Sequence, residues 1–213
     1  METYQTEQEK FWAGEFGDAY VDRNRDQNIV ASNISLFSKI FSRTRGVSSV
    51  LELGANIGLN LQAIKVLKPG ILMTAIEINK KAADRLKQDF VNKELTVYEQ
   101  SILTYEPRLK FDFVLIRGVL IHMNPIVLQD VYEILYKSTA KYICIAEYYN
   151  PTPTEVTYRG HAERLFKRDF AGEMLDKYPS LALQDYGFVY HRDNNFLQDD
   201  ITWFLLEKRE NIR

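Results

Sequence analysis

Residues 51–58 read Leu-Glu-Leu-Gly-Ala-Asn-Ile-Gly, and this stretch decides the fold of the chain. An apolar run ends abruptly at Gly54, and a helical pattern starts near Ile57. The stretch therefore predicts a strand, a tight glycine turn and the N-terminus of a helix, an arrangement that lets a ligand approach the backbone and points free N–H groups at it. Asn56 stands inside the turn, and asparagine tolerates positive φ. The spacing, acid-x-Gly-x-x-x-Gly, differs from the Gly-x-Gly-x-x-Gly of hydride-transfer enzymes.

The composition of the chain excludes several classes of protein. Its 213 residues suffice for one α/β domain, and an apolar share of 46% is enough for a buried core, which excludes a disordered chain. The net charge is −2, from 27 basic and 29 acidic residues, and gives no support to bulk attraction to nucleic acid or membranes. The apolar runs are far too short to cross a bilayer. We therefore expect neither a nucleic acid nor a membrane as partner.

The N-terminus and the cysteine content indicate a compartment. Residues 1–7 show neither the basic region nor the apolar segment of a secretory signal. Cys144 is the single cysteine, so the chain has no pair for an internal disulfide. It lies in an apolar run, and a small buried core residue is a better interpretation than a nucleophile. These features predict a cytoplasmic protein.

Strand and helix patterns alternate along most of the chain, which is typical of a parallel, doubly wound sheet. Apolar residues at Val30, Ile34, Phe37 and Phe41 form the stripe of an amphipathic helix. The predicted strands that follow are 47–53, 71–76, 95–98, 111–116 and 141–146, and the predicted helices are 57–67, 82–90 and one that Asn124-Pro125 opens.

The last third of the chain has a different character. Residues 148–178 are rich in Tyr, Pro, Arg and Lys, and a helical pattern appears only near 170–178. Two β-like segments, 183–191 and 201–207, follow and predict a final hairpin. We divide the chain into an N-terminal helical lid and substrate segment, 1–45, and a core, 46–213, with a substrate-binding insertion at about 148–178.

The glycine turn resembles motif I of the class I S-adenosylmethionine-dependent methyltransferases. This resemblance implies a Rossmann-like α/β fold, with a mostly parallel seven-stranded sheet and a C-terminal antiparallel hairpin. It also implies S-adenosylmethionine as cofactor and S-adenosylhomocysteine as product. The residues that match the cofactor-binding positions of this class follow the first four predicted strands: Glu52, Gly54, Ala55, Asn56 and Gly58; Glu77 and Ile78; Ser101 and Ile102; Arg117, Gly118 and Val119.

Three of these positions carry specific expectations. Glu77 closes the second strand, where a carboxylate accepts hydrogen bonds from both hydroxyls of a ribose. Ser101 stands where the resemblance places an adenine-binding aspartate, so a side-chain contact to the adenine amine is open at this position. Ile102 is expected to pack on the face of the adenine ring.

Four segments resemble the methyltransferases associated with pseudaminic acid biosynthesis: 11–24, 52–60, 118–122 and the Tyr-Tyr-Asn-Pro of 148–151. The resemblance covers nearly the whole chain and implies a small-molecule acceptor, such as a nonulosonic (pseudaminic) acid, its nucleotide-linked form or a precursor. The alternatives are a different small metabolite, such as an amino acid or another carboxylate, and a non-catalytic regulator that binds the cofactor. An RNA methyltransferase is disfavoured, because the chain lacks a basic appended domain. Either a monomer or a homodimer fits the sequence.

Basic and aromatic residues indicate a polar, anionic acceptor, although a charge run is also typical of a solvated surface. A cation at Arg117, at the end of a buried strand, requires an anionic partner. Aromatic residues are expected to wall the pocket, although core packing is favoured for Trp12 and Phe16. The predicted substrate-binding residues are Arg23, Arg117, His122, Tyr148, Tyr149, Tyr158, Arg159 and Arg164, and Arg25 is a further candidate.

His122 is the best candidate for a general base, because it follows the fourth strand and a histidine accepts a proton near neutral pH. The alternative is a loop histidine that packs beside Asn124-Pro125. If His122 is not the base, Tyr20 or Tyr149 is the next catalytic candidate. The spacing of His, Cys and acidic residues predicts no metal site.

Overall fold

The structure, a computed structural model, describes residues 4–23, 27–90 and 95–209. The helices are α1 (Glu7–Ala13), α2 (Glu15–Arg23), α3 (Gln27–Phe41), α4 (Leu59–Leu67), α5 (Lys80–Asp89), α6 (Leu128–Ser138) and α7 (Phe170–Lys177). The strands are β1 (Ser49–Leu53), β2 (Leu72–Glu77), β3 (Leu95–Glu99), β4 (Phe111–Arg117), β5 (Thr139–Glu147), β6 (Thr154–Tyr158), β7 (His161–Lys167), β8 (Leu181–Val189) and β9 (Ile201–Lys208). Short 3₁₀ turns lie at Ile102–Thr104, Leu120–His122 and Pro125–Val127.

Among the described residues, a seven-stranded sheet has the order β3-β2-β1-β4-β5-β9-β8. Strands β1 to β5 pair in parallel, whereas β9 pairs antiparallel with both β5 and β8. This topology confirms the predicted α/β architecture, including the closing antiparallel hairpin.

Both faces of the central strands are buried, which explains their continuous apolar sequences. One face of the sheet packs against Phe37 of α3 and Ile64 of α4, and the opposite face packs against Tyr132 and Leu135 of α6. The strand order reverses between β1 and β4, and such a switch point opens a crevice at the carboxyl ends of the strands. A ligand-binding site in this crevice would therefore lie next to the residues that follow Leu53, the last residue of β1.

The segment 148–178 contains an antiparallel ribbon, β6–β7, that the sequence did not predict. Tyr158 pairs with His161 across a two-residue turn in which Arg159 and Gly160 have φ of 49° and 86°. Positive φ at both positions is the geometry of a type I′ hairpin, which usually carries Asn-Gly or Asp-Gly. Because arginine occupies the first position, the usual hairpin signal is missing. The predicted helix near 170–178 is confirmed as α7.

The described part of the chain contains no helix that is both long and apolar enough to span a membrane.

Candidate functional site

The glycine turn after β1 adopts left-handed backbone at each position where the sequence allows it. Gly54, Asn56 and Gly58 have φ of 75°, 48° and 79°. The N–H groups of Gly54 and Ala55 donate to the carbonyl of Ile76 at 2.8 and 3.2 Å, so the turn is fastened to β2. A Cβ at Gly54 would lie 2.5 Å from Cγ2 of Val119. Only glycine therefore fits where the loop after β4 crosses the turn.

The Glu77 carboxylate at the end of β2 holds the same turn from its other side. Its Oε2 accepts the N–H of Asn56 at 2.7 Å, and its Oε1 accepts the N–H of Asn79 at 2.7 Å. Burial raises the pKa of this carboxyl. A carboxylate has about four acceptor positions, so Glu77 retains acceptor capacity after these backbone contacts.

A cavity at the carboxyl ends of the strands encloses about 730 Å³ that protein atoms do not fill, part of it open to solvent. Strand ends, the loop after β4 and the N-terminal helices all contribute to its wall. The lining residues are Thr6, Gln8, Glu9, Trp12, Tyr20, Gly54, Ile76, Glu77, Ile78, Ser101, Ile102, Leu103, Gly118, Val119, His122, Met123, Asn124 and Val127.

The structure brings most of the predicted cofactor-binding residues to this cavity. Gly54, Glu77, Ile78, Ser101, Ile102, Gly118 and Val119 line it. The others lie behind the wall: Glu52, Ala55 and Gly58 are buried, and Asn56 and Arg117 are half-buried.

Helices α1 and α2 form one side of the cavity. Thr6, Gln8, Glu9 and Trp12 line it from α1 and its N-cap, and Tyr20 lines it from α2. Sequence reasoning missed Thr6, Gln8 and Glu9 and placed Trp12 in the core. The available signal was the capping box Thr6-x-x-Glu9, which marks a helix start but not what the helix covers.

The Glu9 carboxylate connects α1 to the turn after β3. Its Oε2 accepts the N–H groups of Gln5 and Thr6 at 2.7 and 2.8 Å. Its Oε1 accepts the hydroxyl of Ser101. Both side chains are buried, with Glu9 7% and Ser101 8% exposed.

His122 is buried in the loop after β4, and its environment fixes its protonation. Its Nδ1 lies 2.6 Å from the carbonyl oxygen of Arg164, so Nδ1 carries the proton and donates it. Nε2 is then the unprotonated nitrogen. The ring centroid lies 4.8 Å from the rings of Trp12 and Tyr158. Burial lowers the pKa to about 4, so the expected titration near neutral pH is wrong for this histidine.

Glu147, at the end of β5, supports the loop that carries His122. Its Oε1 accepts the N–H groups of Val119 and Leu120 at 3.0 and 2.9 Å. Within the described part of the chain, its Oε2 is buried without a hydrogen-bond partner, and burial raises the pKa of Glu147 to about 7. No sequence motif distinguishes this acid from an ordinary strand end.

Arg117 lies in a polar network behind the glycine turn. Its guanidinium donates to the side-chain oxygens of Asn33, Asn60 and Gln198. Asn60 also donates to Glu52 at 2.6 Å. The direct contacts of Arg117 are therefore neutral amide oxygens, while the carboxylates of Glu52 and Asp199 act on it through space. The side chain is not part of the cavity lining.

The remaining predicted residues lie at or beyond the rim. Tyr149 is 41% exposed and packs against Phe204, away from the cavity. Tyr148 is half-buried beneath Lys167, and burial raises its pKa.

The predicted arginines lie over aromatic rings. The guanidinium of Arg23 lies over Phe16 and Tyr20, that of Arg159 over Tyr158, and that of Arg164 over Phe11. Arg25 is outside the described residues.

No protein-family model and no curated protein matches the sequence, but solved structures share its fold. A SAM-dependent methyltransferase from Leishmania major is 13% identical, with a TM-score of 0.72 over 93% of this chain and 81% of that one. The 1,6-didemethyltoxoflavin-N1-methyltransferase of Burkholderia thailandensis, with bound 1,6-didemethyltoxoflavin and S-adenosylhomocysteine, is 14% identical, with a TM-score of 0.69 over 99% and 94%. The magnesium protoporphyrin IX methyltransferase of Synechocystis PCC 6803, with bound S-adenosylhomocysteine, is 14% identical, with a TM-score of 0.65 over 95% and 97%.

At these identities the likeness establishes the fold, whereas function has to be argued from the site. The chain has the fold of the S-adenosylmethionine-dependent methyltransferases.

Proposed function

We propose that this protein transfers a methyl group from S-adenosylmethionine to a small acceptor. One observation carries the proposal: a single cavity at the switch point of the sheet is lined by Gly54, Glu77, Ser101 and Gly118. These residues follow four different strands, and each matches the cofactor-binding position that the sequence resemblance assigned to it.

The chemistry of the cavity fits the proposed cofactor. The backbone at Gly54 leaves no space for a side chain, which is the form of a turn that a ligand approaches closely. Glu77 retains acceptor capacity for ribose hydroxyls, and the Nε1–H of Trp12 is buried without an acceptor among the described residues. Bound S-adenosylmethionine supplies an electrophilic methyl group whose leaving thioether is neutral.

The residues of the chain then have to position the acceptor and, for some acceptors, remove a proton. Holding the reacting atoms in line contributes several kcal/mol to the lowering of the barrier, about 7–11 kcal/mol in the best intramolecular models. His122 offers the unprotonated Nε2 in the cavity wall. With a pKa of about 4 it stays unprotonated across the physiological range, although it is a weak base. It is needed only if the acceptor is a hydroxyl or a protonated amine.

The acceptor that we propose is a small polar carboxylate, with a nonulosonic acid as the candidate from the sequence resemblance. The described lining contains the acids Glu9 and Glu77 but no Arg or Lys. A carboxylate would therefore face the rim. There the guanidinium groups of Arg23 and Arg159 lie 5.4 and 5.8 Å from the rings of Phe16 and Tyr158, which are 6.1 Å apart. In this arrangement α1, α2 and the β6–β7 ribbon act as the lid and substrate segment.

Two measurements, made one after the other, test the proposal. Calorimetric titration with S-adenosylmethionine and S-adenosylhomocysteine is expected to give micromolar dissociation constants, and the absence of binding to both would exclude the function. Mass spectrometry then follows the gain of one methyl group by an acceptor panel. The panel pairs each acid, including nonulosonic acids, with its neutral amide.

The acid and amide pairs separate the two parts of the proposal. Methylation of an acid but not of its amide supports binding of the acceptor carboxylate by the arginines at the rim. The charge-reversal variant Arg159→Glu is then expected to raise the KM for that acid. Arg108→Glu, on an exposed arginine paired with Glu106 outside this cavity, is the matched control. Methylation of amides and acids alike would contradict an anionic acceptor. Cofactor binding without turnover of any compound would favour the non-catalytic regulator.

A further inference from the structure

The turn after β3 brings no carboxylate of its own to the cavity. Its residues are Gln100, Ser101 and Ile102, and only the last two line the wall. The carboxylate beside Ser101 is Glu9, which arrives from α1, 92 residues earlier in the chain. A charged group of the cavity is thus supplied by the N-terminal helix.

The two carboxylate oxygens of Glu9 accept different numbers of hydrogen bonds. Oε2 receives the N–H of Gln5, the N–H of Thr6 and the hydroxyl of Thr6, at 2.7, 2.8 and 3.2 Å. Oε1 receives only the hydroxyl of Ser101 among the described residues. A carboxylate oxygen accepts about two hydrogen bonds, so Oε1 has one acceptor position left, on a side chain that lines the cavity.

N–H and O–H donors, rather than a cation, hold the Glu9 carboxylate. The side chain is 7% exposed, and within the described ranges no Lys, Arg or His lies within ion-pair distance of it. A buried carboxylate is stabilised by N–H and O–H donors when no cation is present. A ligand N–H group could join these donors at Oε1, the oxygen that accepts fewer hydrogen bonds.

The ends of the cavity differ in chemistry, and this difference orients a nucleoside. Gly54, Gly118 and His122 lie at the β1 and β4 end, where close backbone approach suits a charged, flexible chain. Glu77 follows β2, in the middle of the strand order β3-β2-β1-β4. The β3 end combines the apolar side chains of Ile102 and Leu103 with the Glu9–Ser101 pair. Apolar side chains beside one hydrogen-bond acceptor suit a purine base.

We infer that Glu9 accepts a hydrogen bond from the exocyclic amine of the cofactor's adenine. This inference rests on the proposed function and assigns adenine recognition to α1. The helix is also fastened to the ribbon, because Nε2 of Gln8 donates to the carbonyl of Glu163 at 3.0 Å. A hydrogen bond from adenine to Glu9 would therefore connect the base to α1 and, through Gln8, to the ribbon.

The test compares two ligands that differ at the atom in question. S-inosylhomocysteine carries an oxo group where S-adenosylhomocysteine carries the amine, and an oxo group cannot donate to a carboxylate. Loss of a hydrogen bond to a charged group costs roughly tenfold or more in affinity. We expect the wild-type protein to bind S-adenosylhomocysteine at least tenfold more tightly by calorimetry. In Glu9→Gln the ratio is expected to fall to about threefold or less, because an amide both donates and accepts.

The matched control is Thr6→Ala, which removes the other half of the capping box and leaves the carboxylate in place. It is expected to weaken both ligands by a similar factor, so that the ratio stays at its wild-type value. Equal binding of the two ligands by the wild-type protein overturns the inference, and this measurement needs no variant. An unchanged ratio in a folded Glu9→Gln protein overturns it as well. Failure of S-adenosylhomocysteine to bind at all would instead remove the proposed function.

Discussion

The buried state of His122 predicts a specific loss of stability in acid. The ring is 9% exposed, donates Nδ1–H to the carbonyl of Arg164 and has a pKa lowered to about 4 from 6.5. His122→Asn keeps a donor near the position of Nδ1, because an asparagine amide also offers N–H, but it cannot titrate. The pH dependence of the difference in stability between the two proteins therefore isolates this histidine.

The sign and the size follow from proton linkage. Between pH 6.5 and pH 4 the unfolded chain binds a proton at His122 and the folded chain does not, so the free energy of unfolding falls as the pH is lowered. The contribution of His122 is fully present above its unfolded pKa. With the pKa values 4 and 6.5, the loss between pH 7.5 and pH 5.0 is about 2 kcal/mol.

Urea unfolding followed by tryptophan fluorescence measures this effect at pH 7.5 and pH 5.0. The wild-type protein is expected to lose about 2 kcal/mol relative to His122→Asn between the two conditions. His191→Asn is the control, because His191 is exposed and pairs with Asp200 at 2.9 Å outside the cavity. If the difference between wild type and His122→Asn is the same at both pH values, the buried, neutral assignment is refuted.

Two other substitutions test the wall of the cavity, and a third tests the acid that supports the loop after β4. Gly54→Val places a Cβ 2.5 Å from Val119 at a φ of 75°, and we expect calorimetry to show loss of cofactor binding; wild-type affinity would contradict the close-approach turn. Glu77→Ala removes the ribose acceptor and is expected to weaken cofactor binding by about 1.5–3 kcal/mol, whereas an unchanged dissociation constant would show the ribose assignment to be wrong. Burial raises the pKa of Glu147 to about 7. Its contribution to the free energy of unfolding is therefore fully present below pH 4.5 and is lost as the pH rises through 7. Glu147→Gln is therefore expected to gain about 2.5 kcal/mol relative to wild type between pH 5 and pH 8 in urea unfolding, and a pH-independent difference would count against the raised pKa.

Most strands and helices of the core were predictable from the sequence because their signals are local, whereas the order of the strands in the sheet came from the family resemblance. Phe111–Ile116 was predicted as a buried strand, and the observed β4 is one residue longer and ends at Arg117. The helix stripe through Phe37 is α3, and the glycine turn has left-handed backbone at Asn56, as its residue types allow. In each case the deciding information lies within a few residues of the chain, in an apolar period or a turn residue.

The rest of the site depends on contacts between distant residues, which no local pattern reports. The capping box identifies Glu9 as part of a helix start, but only the folded chain shows that Ser101 meets it. His122 was a reasonable candidate from its position, yet its pKa follows from burial against α1 and the ribbon. Arg117 was expected to need an anionic partner, but its direct contacts are three amide oxygens, and the Glu52 carboxylate acts on it only through space.

The ribbon explains how the N-terminal helices and the loop after β4 are held together. Two consecutive carbonyls of β7 have different partners: that of Glu163 accepts from Gln8 of α1, and that of Arg164 accepts from His122. Successive carbonyls of a regular strand point in opposite directions, and Glu163 departs from regular strand geometry with a φ of 54°. Left-handed backbone at a non-glycine residue costs about 1–3 kcal/mol and persists where the surroundings enforce it. Here the surroundings are the wall of the cavity, so the strain lies where α1, the ribbon and His122 are fixed relative to one another.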